Sequence, residues 1–320
     1  MGRALTRHRC GGLSVARLDT GITMPEVTVV IATRNRRASL ERTLHALHAH
    51  PAPPAVIVVD NCSADGTPDM VAGSFPQARV LTLGRNAGAV ARNHGVAAAT
   101  TPYVAFADDD SWWAPGALTR AARHLDDAPR LALIAARTLV GPAERLDPMS
   151  AFMVQAPLGV ADDLPGPSVL GFLACAAVVR REPFLACGGF DPVVFFMGEE
   201  ARVALDLRTG GHGLAYCNDV VAYHHPSPDV GEGTAKRLLA LRNGVLTAWM
   251  RRPARVAVAE TARLLRAAGA DPAARRAAVQ LLQRLPGALV RRNPVPADVE
   301  RELRTLAAME AAAGYSTAPH

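Results

Sequence analysis

Hydrophobic positions in the first third of the chain fall into two alternating patterns. Val27–Ile31, Val56–Val59, Val80–Leu83 and Tyr103–Ala107 are short, nearly continuous apolar runs rich in β-branched residues. Strands buried on both faces read this way, because neither side of the pleat meets water. Between the first two runs, Leu40, Leu44 and Leu47 recur at the spacing of one helical face, and Pro51, Pro53 and Pro54 break the chain. Further helices are predicted over 67–74 and 88–99. Strand and helix alternating from 27 to 107 predict βαβ units and a mostly parallel sheet, an α/β fold.

Open sheets of this kind bind ligands beyond the carboxyl ends of their strands. The polar residues after each run therefore carry the candidate chemistry: Thr33-Arg34-Asn35, Asp60-Asn61, Arg85-Asn86 and Asp108-Asp109-Asp110. Turn and capping roles account for any one of the first three groups. They do not account for the aspartate triplet, whose carboxylates repel one another unless a cation or solvent screens them. A hard divalent cation such as Mg²⁺ or Mn²⁺ takes one or two carboxylates together with phosphate oxygens, so the triplet predicts a metal–diphosphate site. No GxxxxGK[ST] loop is present and no GxGxxG follows the first strand. P-loop NTPases and dinucleotide dehydrogenases are thereby excluded.

Composition narrows the field further. The 320 residues are 49% hydrophobic and 20% charged, which is globular. The net charge of +6 sums 35 basic and 29 acidic residues; residues 234–293 hold 13 of the basic ones against only Glu260 and Asp271, leaving 22 and 27 elsewhere. A mildly acidic body excludes a uniformly basic nucleic-acid binder. The five cysteines are widely spaced with no CxxC pair, which predicts reduced thiols in the cytoplasm. No apolar run reaches the ~18–20 residues of a membrane span. Residues 1–23 carry Arg3, Arg7, Arg9 and Arg17 without an apolar core. They predict a disordered leader, or an overlong start with Met24 as the working initiator, rather than a secretory signal.

Four segments now read together: Val27–Arg36 (VTVVIATRNR), Val58–Ser63 (VVDNCS), Gly84–Gly95 (GRNAGAVARNHG) and Tyr103–Asp110 (YVAFADDD). They resemble the nucleotide-binding half of bacterial family 2 glycosyltransferases. Gly188-Gly189-Phe190-Asp191 with Phe195–Glu200 resembles the acceptor-side segment of that family, and His224-His225-Pro226 its closing metal-histidine segment. Each motif is weak alone; the ordered set, from about Pro25 to Pro253, is specific. The resemblance implies a GT-A fold, a Rossmann-like mostly parallel sheet flanked by helices, with a C-terminal helical appendage. The expected organisation is a leader over 1–23, a glycosyltransferase domain over 24–252 (nucleotide half 24–110, acceptor half 111–230) and a basic helical appendage over 253–320.

The resemblance also implies roles. Ala32 and Thr33 border a pyrimidine ring, with Asn35 beside them, and Asp60 accepts a hydrogen bond from its N3–H. Asp108 or Asp109 holds the ribose. Asp110 ligates Mg²⁺ or Mn²⁺, and His224 is the second protein ligand or caps the diphosphate. Arg92, in the helix after the Gly88 turn, either approaches the donor phosphates or solvates the surface. Glu200 is the expected base toward the acceptor hydroxyl, with Glu199 as its understudy. The expected reaction is an inverting, metal-dependent transfer from a UDP- or dTDP-sugar to a hydroxyl acceptor, with a rhamnosyltransferase-like subgroup as one version. Two alternatives stand beside it: a sugar-phosphate nucleotidyltransferase, and a nucleotide-sugar-binding protein without turnover.

The chain departs from the family at Ala32 and Arg34, where proline and an aromatic are common. After the acidic pair it carries Arg202 and Asp206 where Asp and Arg are usual, which predicts a helix-surface ion pair of reversed polarity. His45, His48 and His50 do not converge on one helical face and predict a solvated helix end. Trp112-Trp113 predict a packed floor to the donor site, Cys62 an inert thiol, and the Pro/Gly-rich stretch 157–167 a loop beside the acceptor. Helical spacing recurs over 234–250, 254–268, 272–285 and 297–313, with breaks expected at Pro286-Gly287 and Pro294. The arginines of 234–293 make peripheral contact with an anionic membrane at its inner face one expectation, and Arg242-Asn243 covering the donor phosphates another.

Overall fold

The computed structural model describes residues 26–226 and 233–312; the leader expected over 1–23 lies outside them. The apolar runs form β1 (Val27–Thr33), β2 (Ala55–Asp60), β3 (Arg79–Thr82) and β4 (Tyr103–Ala107). They lie side by side in the order β3-β2-β1-β4, all parallel. The helices between them are α1 (Arg37–His48), α2 (Thr67–Ser74) and α3 (Ala91–Ala98), the last entered through a 3₁₀ turn at Gly88–Val90. Leu40, Leu44 and Leu47 are fully buried on one face of α1.

Beyond Asp110 the hydrophobic pattern loses its regularity, and so does the pairing. β5 (Ser111–Trp113) is followed by α4 (Ala117–Asp127), β6 (Leu131–Val140), β7 (Arg145–Leu146) and α5 (Pro148–Met153). Then come β8 (Ala177–Arg180), α6 (Arg181–Ala186), α7 (Glu199–Thr209) and β9 (Gly213–His224). β8 is antiparallel to both β4 and β6, β9 runs parallel to β6, and β5 closes the far edge antiparallel to β9. One face of the sheet packs on α1, α2 and α4 through Leu44, Met70 and Leu125; the other packs on α3, α6 and α7 through Val96, Phe184 and Val203. Gly95 permits the close approach of α3, since a Cβ there would lie 2.4 Å from a Val30 methyl.

Four helices complete the described chain: α8 (Gly233–Arg251), α9 (Ala254–Ala267), α10 (Pro272–Val290) and α11 (Ala297–Ala312). The break expected at Pro286-Gly287 does not occur. Pro286 sits inside α10 on its exposed side, forfeiting one hydrogen bond near the helix end, while Arg291 N–H still reaches the Gly287 carbonyl at 3.3 Å. Packing outweighs the defect, because Leu281 and Ala288 on either side of it are buried against α8. Among the described residues no helix is long and apolar enough to cross a membrane.

Candidate active site

The ends of β1, β2 and β4 bring their polar residues to one edge of the sheet. Thr33 is buried and its hydroxyl donates to Asp109 Oδ2 at 3.0 Å, while Ala32 is half-buried beside it. Asn35 takes a left-handed conformation (φ 54°) and ties two loops together: its N–H donates to Ser63 Oγ at 2.9 Å, and its Oδ1 accepts from Ala64 N–H at 2.8 Å. Asp60 is fully buried. Its Oδ2 accepts from Ser63 N–H at 3.1 Å, and its Oδ1 has no partner. A carboxylate oxygen left so is costly until a donor reaches it.

The aspartate triplet fans out. Asp108 pairs with Arg92, Asp109 is held by Thr33 and by Arg36 Nε at 3.3 Å, and Asp110 lies 3.4 Å from Arg36 Nη2 and 3.5 Å from His224 Nε2. Two arginines and a histidine thus relieve the repulsion between neighbouring carboxylates. Burial, and then the charges of Asp108 and Asp110, push Asp109 up to about 6 against the opposing pull of Thr33 and Arg36. For His224, burial works against the imidazolium, but Asp110 outweighs it and the net shift is upward. The β5–β9 ladder creates this proximity: Ser111 pairs with His224, and His225 N–H donates to the Asp110 carbonyl at 2.8 Å. Trp113 is buried beneath, and Trp112 packs on His225 with ring centroids 4.6 Å apart.

Glu199 and Glu200 open α7. Glu199 is 2% exposed, its Oε1 lies 3.6 Å from Arg92 Nη1 and its Oε2 has no partner. Glu200 is half-buried. Burial raises both carboxyls above their ordinary range; the charge of Glu200 adds to the shift of Glu199, and backbone N–H groups at the helix start oppose that of Glu200. Arg92 is 4% exposed and does not solvate the surface. It spans Asp108 and Glu199, and those carboxylates outweigh burial and hold its pKa above the arginine norm.

The loop leading into α7 is held under backbone strain. Phe195 and Met197 have φ near +70°, where a side chain is disfavoured, and Gly198 follows at 77° without that penalty. Asn243 of α8 donates to both the Phe196 and Met197 carbonyls at 2.6 Å, and Arg242 donates to the Val194 carbonyl at 3.2 Å. Both residues are buried under this loop, so they brace the acidic pair from behind. Gly88, also left-handed, meets the loop from the donor side; a Cβ there would lie 2.4 Å from the Phe195 carbonyl, which accepts from Ala89 N–H at 2.7 Å.

The ion pair expected on a helix surface is buried instead. Arg202 Nη2 and Asp206 Oδ2 are 2.9 Å apart, at 9% and 11% exposure. Arg202 also donates to the Gly189 and Cys187 carbonyls, and Asp206 takes both Nε and Nη2 of Arg251 from the end of α8. The periodicity of α7 marked these positions as neighbours, but only the packing of α8 shows that solvent is excluded from them. Arg36 was not singled out in the sequence, although it stands in the polar cluster after β1. Arg242 and Asn243, expected to cover the donor phosphates, are buried instead against the loop before α7, on the carbonyls of Val194, Phe196 and Met197. His45 and His48 pack on Phe75, with centroids 4.9 and 5.4 Å away.

The model of glycosyl transferase family 2 matches residues 28–187, half of the chain. The chain belongs to this family. Among relatives, the succinoglycan biosynthesis protein ExoO of Rhizobium meliloti is 38% identical over 108 residues, 33% of this chain and 31% of that protein. The pre-mycofactocin glycosyltransferase of Mycobacterium tuberculosis is 33% identical over 207 residues, 62% of this chain and 43% of that protein. An N-acetylglucosaminyl-diphospho-decaprenol L-rhamnosyltransferase of the same organism is 28% identical over 250 residues, covering 66% and 80%. The chain thus spans less than half the length of the first two. Among solved structures, the mannosyltransferase PcManGT of Pyrobaculum calidifontis, in complex with GDP-Man and Mn²⁺, superposes with a TM-score of 0.55 at 23% identity, over 93% of this chain and 77% of that one. S. aureus TarS in complex with UDP-GlcNAc gives 0.54 at 18%, over 69% and 66%. These likenesses show the expected fold, that of the GT-A glycosyltransferases, here with C-terminal helices docked on it.

Proposed function

We propose that the protein is an inverting, divalent-metal-dependent glycosyltransferase that moves a sugar from a nucleoside diphosphate to an acceptor hydroxyl. One observation carries this reading: Arg92 joins Asp108, at the strand end of the donor half, to Glu199, in the acidic pair of the acceptor half. On this reading one buried arginine holds the diphosphate-binding edge next to the acceptor-side base, the proximity that transfer requires. The family and the structural neighbours bound to GDP-Man with Mn²⁺ and to UDP-GlcNAc support it.

Asp110 and His224 suit Mg²⁺ or Mn²⁺, since a carboxylate and an imidazole converge and leave most ligand positions to phosphate and water. Such a cation neutralises charge on the departing diphosphate. Asp60 is assigned to the base of a UDP- or dTDP-sugar, a reading supported by its partnerless Oδ1. Asp108 or Asp109 is assigned to the ribose, with Ala32, Thr33, Asn35 and Gly88 shaping that side. Glu200, the more open of the two glutamates, takes the proton of the acceptor hydroxyl. The acceptor oxygen so deprotonated bonds to the anomeric carbon from the face opposite the diphosphate, and the bond to the diphosphate oxygen breaks with its electron pair. Attack from that face inverts the centre. A cytoplasmic location belongs to the proposal, supported by free thiols at Cys62, Cys175, Cys187 and Cys217.

A thermal-shift panel of UDP-, dTDP- and GDP-sugars with Mn²⁺ or Mg²⁺ tests the donor half. Stabilisation that needs both nucleotide and metal is expected; no shift from any nucleotide diphosphate defeats the reading. Mass-spectrometric screening of donors against acceptors, with Glu200→Gln as control, tests turnover.

A further inference from the structure

The arginines of 234–293 are largely consumed inside the protein. Arg242, Arg251 and Arg292 hydrogen-bond to carbonyls or to Asp206, Arg252 pairs with Glu300, and Arg284 donates to the Val193 carbonyl. Net charge over the segment therefore overstates what it offers to a partner. Exposed arginines stand on α9 and α10 at Arg255, Arg263, Arg266, Arg275 and Arg276.

α10 buries Ala273, Ala274, Ala277, Leu281 and Ala288 on one side. Its opposite side carries Val279, Leu282, Pro286, Leu289 and Val290 at helical spacing, with the four large ones 45% to 84% exposed. Neighbouring α9 exposes Val258 and Leu265 at 55% and 58%. These two helices thus hold six of the eleven large apolar side chains exposed among the described residues. No acidic residue occurs anywhere in α10. Arg275 and Arg276 are exposed at its start, Arg275 with its Nε on the Ala268 carbonyl at 3.2 Å, and Arg291 follows its end, 43% exposed and 3.4 Å from Asp191. Soluble surfaces rarely gather apolar groups in this way without a partner.

We propose that the outer face of α10, with the adjoining exposed residues of α9, docks on an anionic bilayer. The exposed leucines and valines enter the interface between headgroups and acyl chains while the flanking arginines meet lipid phosphates, a division of labour typical of interfacial helices. Charge decides against other occupants. A second copy would bring the same basic face against itself, and the segment 1–25 carries four arginines with Asp19 as its only acid. The opposite side of α10 touches the loop before the acidic pair: Arg284 lies over the Phe195 ring, and a Cβ on Gly287 would meet Val193 at 3.1 Å. The bilayer would thus lie about one helix diameter, ~10 Å, from the loop that leads into Glu199 and Glu200. As a deepening of the transferase reading, this favours an acceptor hydroxyl held at a membrane surface.

The test is co-sedimentation of the full chain at ~0.1 M salt with vesicles of phosphatidylcholine alone and with about one third phosphatidylglycerol. Binding is expected to the anionic vesicles and not to the neutral ones. Arg275→Glu with Arg276→Glu should weaken it by about fivefold or more per arginine. Leu282→Asp with Val290→Asp should weaken it to a similar degree, and Leu282→Gln with Val290→Gln serves if the charged pair fails to fold; intact melting curves certify each variant. No binding, equal binding to both vesicle types, or binding indifferent to these substitutions overturns the proposal. So does a concentration-dependent dimer that Leu282→Asp abolishes, which would assign the face to a second copy. Vesicle binding is read without substrate, so its failure is distinct from a failed nucleotide-sugar shift.

Discussion

Asp108, Asp109 and Asp110 are consecutive in the chain yet face three partners, Arg92, Arg36 and His224. At this scale the chemistry rests on which carboxyl keeps its proton. Glu200→Gln keeps size and hydrogen bonding but removes the base, and is expected to lower kcat by about 10²–10⁴-fold with the fold intact. A base works deprotonated, so a raised pKa moves the acidic loss of activity to higher pH. The acidic limb of kcat/KM should therefore lie above the ~4.3 of an ordinary glutamate, and a midpoint at or below that value would remove Glu200 from the role. Arg92→Met leaves Glu199 buried beside Glu200 without its counter-charge. It should cost about 3–5 kcal/mol in urea unfolding, as breaking other buried pairs does.

At the scale of elements, α8 supports α7. The loop 195–198 stores strain in the left-handed Phe195 and Met197, and Asn243 holds two of its carbonyls. Asn243→Ala should let the loop relax and displace Glu200, lowering kcat on the order of 100-fold while donor affinity in the thermal-shift assay is unchanged. An equal loss of both would mean that the whole fold, rather than this loop, depends on the contact. In α10 the opposite experiment applies. Pro286→Ala restores a helix hydrogen bond and is expected to raise stability by up to about 3 kcal/mol in denaturant unfolding. Melting no higher than the parent would show that the break is already accommodated.

The whole molecule is held together across the boundary where its composition changes. Asp206 lies between Arg202 and Arg251, Glu302 pairs with Arg208 at 2.6 Å, and Val295 and Val299 pack on Leu205. Leu246 and Met250 of α8 are fully buried, with Leu264 and Leu281 in the same cluster. A chain ending at residue 252 would expose this apolar surface and leave Glu300's partner Arg252 at its terminus. It is expected to melt well below the full chain or to aggregate, as calorimetry and light scattering would show. A truncated protein with an unchanged melting temperature would make the appendage separable.

Much of the donor edge is legible in the sequence. Buried parallel strands need unbroken apolar runs, and polar residues directly after Ala32, Val59 and Ala107 are out of place in a core unless they serve a ligand. The bounds of α2 and β4 agree with the pattern, since each is set by local chemistry. β6 to β9 escape it, because antiparallel and mixed pairings over long separations leave no local period. The same holds for the site. Asp60, the triplet and the acidic pair are visible as residue types at strand ends and a helix start. That Arg92 turns inward, that Asn243 braces the strained loop, and that Arg202 and Asp206 are shielded from water were decided by the tertiary structure. Each depends on residues 45 or more positions apart in the chain, Arg92 with Glu199, Asn243 with Met197 and Asp206 with Arg251. The sequence determined which groups are available and on which elements they stand; packing decided which of them meet, and how far their charges are screened.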